Sequence, residues 1–307
     1  MRSPISHPGL PDTAPPDLRG LPTALEEVTP TLETVAAARR GLEGTTNEDG
    51  GDPSTHGDTR LLARHLSNYL AAVDLASRRP CRDVVDVGGG TGAFAHWAAG
   101  RLGADLTLVE PDDPVRVVAS RAFPDAGLLP ATDALATASS DLVTAMEVVE
   151  HIPPHEQPAF VRDLARLVRP GGLLVCSTPD ETGYLGRWSG YAPHIGPLDH
   201  EGLRRLLIGA TGGWPLQVWR LDGPVFRIGP LRRVGEPLAN RVWGAVRAIS
   251  PSAVERAVVR LGAAAGRRRP SAGAPGTQRI GAVRAYDQPE GPGTGLLAVA
   301  RRPASAT

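Results

Sequence analysis

The chain has 307 residues, 41% hydrophobic and 21% charged, and its 33 basic side chains balance 33 acidic ones. That balance excludes a globally basic nucleic-acid binder, because neutralising phosphates takes clustered positive charge. Two cysteines (Cys81 and Cys176) are too few for a disulfide framework, and no apolar run approaches the roughly 18–20 residues that span a bilayer, so a cytoplasmic protein without a transmembrane segment is expected.

Residues 1–30 carry prolines at 4, 8, 11, 15, 16, 22 and 30 and few large apolar side chains. Such a segment buries too little to offset the entropy of ordering, so 1–57 is expected to be a largely disordered extension. One short helix is predicted inside it over Leu32–Leu42, followed by a polar, glycine-rich linker from Glu43 to Asp52. A core domain is predicted over 58–221, opening with a helix whose Leu61, Leu62, His65, Leu66, Tyr69, Leu70 and Val73 recur at helical spacing. Strands follow at Asp83–Val87, Leu106–Glu110, Gly127–Leu129, Asp141–Met146 and Leu173–Ser177, with helices at Ala93–Leu102, Val115–Phe123 and Pro158–Val168. A helix at Leu203–Ile208 and a strand at Leu216–Leu221 complete the core. This alternation predicts a doubly wound (Rossmann-like) α/β fold with both sheet faces covered. Residues 222–293 break the rhythm with two predicted helices, Leu231–Ser250 and Pro251–Ala265, and an Arg/Pro/Gly-rich loop, read together as a cap. A last core strand, Leu296–Arg301, is expected within 294–303, before a tail at 304–307.

The strongest local signal is Asp86-Val87-Gly88-Gly89-Gly90-Thr91-Gly92, where the first strand turns into a helix. Glycines there let backbone approach a ligand with no Cβ in the way. Alone the turn is ambiguous, since Gly88-x-Gly90-x-x-Ala93 also fits a dinucleotide fingerprint. Its companions are Glu110 at the end of the second strand, placed to accept from ribose hydroxyls, and Asp133 after the third, placed to meet an adenine amino group. Leu167-Val168-Arg169-Pro170-Gly171-Gly172 then leads into the fifth strand. The set resembles the class I S-adenosylmethionine-dependent methyltransferases. That resemblance implies seven strands in the order 3-2-1-4-5-7-6 with the last antiparallel, and S-adenosylmethionine as cofactor. It gives Asp86, Gly88, Gly89, Gly90, Gly92, Glu110, Asp133 and Met146 as the residues around that cofactor. A nicotinamide oxidoreductase is the rival of a different class. Its fingerprint has no acid two residues before the first glycine, and a second nucleotide-binding half is lacking.

Just after the fourth strand stands Met146-Glu147-Val148-Val149-Glu150-His151. A helical turn there would set Glu147, Glu150 and His151 on one side, a ligand set suited to Mg²⁺ or Mn²⁺. The run resembles the E-x-x-E-H cation motif of the demethylubiquinol-type O-methyltransferases. It is also similar to that of small-RNA 2′-O-methyltransferases, whose downstream histidine His194 or His200 would supply here. A metal centre, His151 as an unaided base, and a purely structural role all stay open. The stretch with Tyr184, Trp188 and Tyr191 either lines a ring-shaped acceptor or packs on the sheet, while His155 reads as surface. The arginines at 232, 233 and 267–269 read as a solvated face that leaves peripheral membrane contact open. The expected activity is methyl transfer to a hydroxyl of a small metabolite, first a sugar hydroxyl of a glycosylated metabolite or cofactor. A quinol or phenol comes second, then a nitrogen acceptor. DNA is not an expected partner, and the lack of a broad basic face counts against RNA.

Overall fold

The computed structural model describes residues 14–42, 59–181, 193–229, 235 and 282–304. Helices α1 (Leu21–Ala38) and α2 (Thr59–Ala76) precede β1 (Asp83–Val87), α3 (Ala93–Leu102), β2 (Asp105–Val109), α4 (Asp113–Ala122) and β3 (Gly127–Leu129). After them come β4 (Ser140–Met146), α5 (Gln157–Leu167), β5 (Val168–Pro179), α6 (His200–Thr211), β6 (Leu216–Asp222), β7 (Arg284–Tyr286) and β8 (Gly295–Arg301). The strands form one sheet in the order β3-β2-β1-β4-β5-β8-β6-β7. Neighbours from β3 to β5 run parallel, whereas β8 lies antiparallel to both β5 and β6.

Side chains of successive strand residues point to opposite faces, so a doubly covered strand is apolar throughout. On one face Val84, Leu106, Leu142, Val175 and Leu297 pack under α1, α2 and α3. On the other, Val85, Val143, Leu174, Cys176 and Ala298 pack under α5 and α6 through Val161, Leu164, Leu203 and Leu207. The expected doubly wound α/β fold and the insertion of the last strand between the fifth and sixth are both seen. Among the described residues the sheet has eight strands rather than seven, because Arg284–Tyr286 pairs with Arg220–Asp222 along the outer edge. A three-residue edge strand held by backbone bonds leaves no periodic trace in its side chains.

The N-terminal expectation needs correction. Residues 21–38 are helical, with Leu21, Ala24, Val28 and Val35 buried, and Leu18 is buried just before them. The prolines mislead here. Pro22 occupies the first turn, where an amide would have no helical partner, and Pro30 forfeits one bond inside a helix held by packing. Glu27 fixes the helix to α3, accepting from Arg101 Nη1 at 2.8 Å and Trp97 Nε1 at 3.3 Å. The helix therefore begins eleven residues before the predicted Leu32 and stops at Ala38. The linker from Glu43 and the arginines at 232, 233 and 267–269 lie outside the described residues, as do the predicted helices Leu231–Ser250 and Pro251–Ala265 apart from Gly235. Among the described residues no helix is long and apolar enough to cross a membrane.

Candidate active site

The carboxyl ends of β1, β2, β4 and β5 meet on one edge of the sheet, where the strand order reverses between β1 and β4. Ligands of open α/β sheets bind outside such a switch point. Gly88, Gly90 and Gly92 have φ of +76°, +60° and +77°. A Cβ on Gly88 would stand 2.8 Å from Val148 Cγ2, so only glycine lets this turn pack directly on the turn after β4.

Beneath the turn lies Asp86, fully buried, accepting from Tyr69 Oη at 3.1 Å and Thr144 Oγ1 at 2.5 Å. Burial pushes its pKa up to about 6, against the pull of those two hydroxyls. A carboxyl group raised in this way binds its proton more tightly in the folded chain than in the unfolded one. Its penalty on stability is absent below about pH 4 and complete above about pH 6. The stability of Asp86→Asn relative to the native chain is therefore expected to rise by up to about 3 kcal/mol across that window and then level off. Urea unfolding of both proteins at pH 4 and pH 7.5 measures it, and a difference that is flat or falls with pH would contradict the assignment.

Glu110, also buried, follows β2. Its Oε2 accepts from Gly90 N at 3.1 Å and its Oε1 from Asp112 N at 3.0 Å. Burial pushes its pKa up while these two amides pull it down. A carboxylate has about four lone-pair directions, so the amides orient it and leave capacity for two further donors. Asp133 stands exposed on a short 3-10 turn after β3, and Met146 is buried at the end of β4 beside Ser177.

Glu147 departs from the expected ligand set. It has φ +57°, and the helical segment after it is only a 3-10 turn, Val149–His151, so the helical offsets do not apply. Its carboxylate turns to α2, accepting from Arg64 Nη2 at 3.1 Å and Asn68 Nδ2 at 3.4 Å, and from Ser177 Oγ at 3.1 Å. Burial pushes its pKa up, but Arg64, His65 and Ser177 outweigh burial and hold it below the ordinary value.

The group that assembles is Glu150, His151 and His194, whose ligand atoms all lie within 4.8 Å of one another. Glu150 is 1% exposed and neither of its carboxylate oxygens has a hydrogen-bond partner. Thr178 Oγ1 stands near enough to pull the Glu150 pKa down, although the pair falls short of hydrogen-bond geometry. Burial, and then the charge of Glu147, raise the pKa of Glu150 well above the usual carboxylate range. An unpaired buried carboxylate costs several kcal/mol, and either a bound proton or a cation relieves that cost. His194 reaches the group on the segment before α6, where Gly196 N donates to Glu150 O at 2.8 Å and Gln157 Nε2 to Gly196 O at 2.6 Å. A Cβ on Gly196 would stand 2.1 Å from Ile152 O, so this approach also requires glycine. The two rings meet edge to face at 4.8 Å. His151 Nδ1 lies 3.2 Å from Pro193 O, and His194 Nδ1 lies 2.7 Å from Glu181 Oε1. His200 stays apart, its Nε2 near Val218 O, and His155 is exposed. Tyr184, Trp188 and Tyr191 lie outside the described residues. Arg64, Asn68 and Glu181 were not among the predicted site residues. The two on α2 sit at i, i+4 in an apolar helix, and Glu181 stands two residues past the end of β5.

Residues 55–211, about half of the chain, match the methyltransferase-domain family, and the chain belongs to it. It is 35% identical over 131 residues to the ubiquinone biosynthesis O-methyltransferase of Methylocella silvestris, covering 40% of this chain and 50% of that one. It is 33% identical over 141 residues to a "Probable S-adenosylmethionine-dependent methyltransferase" of Mycobacterium tuberculosis, covering 44% and 50%. The chain thus spans about half the length of these curated relatives. A solved S-adenosylmethionine-dependent methyltransferase of Archaeoglobus fulgidus aligns with 78% of this chain and 94% of its own, at 14% identity and a TM-score of 0.47.

Proposed function

We propose that this protein transfers the methyl group of S-adenosylmethionine to a hydroxyl of a quinol or other phenol. Support for the acceptor class comes from the relative named for ubiquinone biosynthesis, which favours a phenolic ring over the sugar hydroxyl expected first. The observation that carries an oxygen acceptor is Glu150: a buried, unpartnered carboxylate beside two imidazoles, one turn from the glycine motif. Oxygen nucleophiles are weak until deprotonated, and such a group is what their activation requires.

The residues divide the work by position. The turn at Gly88–Gly92 admits the cofactor to the backbone, Glu110 meets the ribose, and Asp133 is the adenine-side acid. Bound there, S-adenosylmethionine would supply a sulfonium methyl for in-line displacement. A divalent cation would be held by Glu150, His151 and His194, and would lower the pKa of a hydroxyl placed on it. Glu147, fixed by Arg64 and Ser177, holds negative charge beside this centre and does not join the ligand group. Without a cation, the same His151 nitrogen would instead act as the base that takes the hydroxyl proton as the oxygen–methyl bond forms. Methyl transfer from labelled S-adenosylmethionine to a catechol, compared with a hexoside and a primary amine, tests the reading. Preferential labelling of the catechol oxygen is expected, and labelling of the amine or the sugar instead would refute it.

A further inference from the structure

One buried carboxylate beside the centre has no task in that reading. Glu181 follows β5 by two residues and is 1% exposed. Its Oε1 lies 2.7 Å from His194 Nδ1, the short distance of a charge-assisted hydrogen bond. His151, the other imidazole, has its Nδ1 against the Pro193 carbonyl. A carbonyl only accepts, so His151 must donate from Nδ1. Both rings are thus tied through the same nitrogen, by a carbonyl on one side and a carboxylate on the other. Arg64 meanwhile is engaged by Glu147.

We propose that Glu181 is a positioning residue: its carboxylate fixes His194 as the Nδ1–H tautomer and presents Nε2 to the centre formed with Glu150 and His151. This deepens the reading above and rests on it for what the centre holds. Neutral imidazole has one donor nitrogen and one acceptor nitrogen, so a fixed acceptor at Nδ1 determines which lone pair faces the site. A carboxylate also orients the ring and makes the far nitrogen a stronger donor to a cation than a carbonyl would, and loss of such a partner commonly costs 10–100-fold in metal affinity. The position fits the chain path. Asp180 bridges to Leu198, so the residue next to Glu181 and the segment carrying His194 are held together by backbone. Glu181 therefore need not serve as the fastening.

Long-range ¹H–¹⁵N spectra of the metal-free full-length protein read the tautomer directly, and Mn²⁺ titration followed by electron paramagnetic resonance reads the affinity. His194 is expected as Nδ1–H in the native protein. In Glu181→Ala a tautomer mixture should appear and Mn²⁺ affinity should fall about 10–100-fold, with S-adenosylmethionine affinity within about twofold. Glu181→Gln, which keeps size and an acceptor oxygen, should retain the tautomer and lose less Mn²⁺ affinity. An Nε2–H tautomer in the native protein, or an unchanged tautomer in Glu181→Ala, would overturn the proposal. Native protein that takes up no Mn²⁺ yet loses the tautomer in Glu181→Ala would refute the cation reading and uphold the positioning role.

Discussion

Replacing Glu150 with alanine is expected to lower turnover by about 10²–10⁴-fold while leaving S-adenosylmethionine affinity unchanged, as fits removal of a group that acts on the acceptor proton. The variant carries a second, opposite signature. In the native chain this carboxylate is buried with no hydrogen-bond partner and lies beside the charge of Glu147. Such a group burdens the fold, and its removal should hold or raise the melting temperature of the metal-free protein. A site residue whose loss cripples the reaction and spares or improves stability is one kept for chemistry. Full activity in Glu150→Ala, or a drop in melting temperature that explains the lost activity, would remove Glu150 from the mechanism.

Glu110→Gln is expected to weaken S-adenosylmethionine binding by about 10–100-fold, the worth of a charge-assisted hydrogen bond. The native carboxylate accepts amide protons from Gly90 and Asp112, and in the proposed cofactor site its remaining lone pairs would accept from ribose hydroxyls. An amide must turn its NH₂ toward one backbone donor, which disturbs the orientation on which the ribose contact depends. The effect should fall on the Michaelis constant for the cofactor, with turnover at saturation nearly native. Equilibrium dialysis together with initial rates separates the two, and an unaltered cofactor affinity would contradict the assignment.

The parts of this molecule that were readable from sequence are those whose signal is local. The glycine turn, its buried Asp86 and Glu110 each sit at the end of an apolar strand, and the strand-helix alternation around them carries its own period. Helix α1 was hidden because seven prolines in the first thirty residues suggested disorder, while Leu21, Ala24, Val28 and Val35 already carried helical spacing. Around the centre the limits are different. Glu150 and His151 are adjacent in sequence, so they stay together whatever turn the chain makes. Glu147 was placed with them on the assumption of a regular helix, and its left-handed φ sends the side chain to Arg64 instead. His194 was one of two candidates, and Gly196 decided between them by permitting close approach to Ile152. Glu181 had no local signal, because its role depends on a histidine thirteen residues away.

The most direct test of the account is calorimetric titration of the metal-stripped protein, first with S-adenosylmethionine and then with Mn²⁺. A saturable cofactor heat, followed by a separate Mn²⁺ heat that disappears in Glu150→Ala, is the predicted result. No cofactor heat in the folded native protein would contradict the account at its centre.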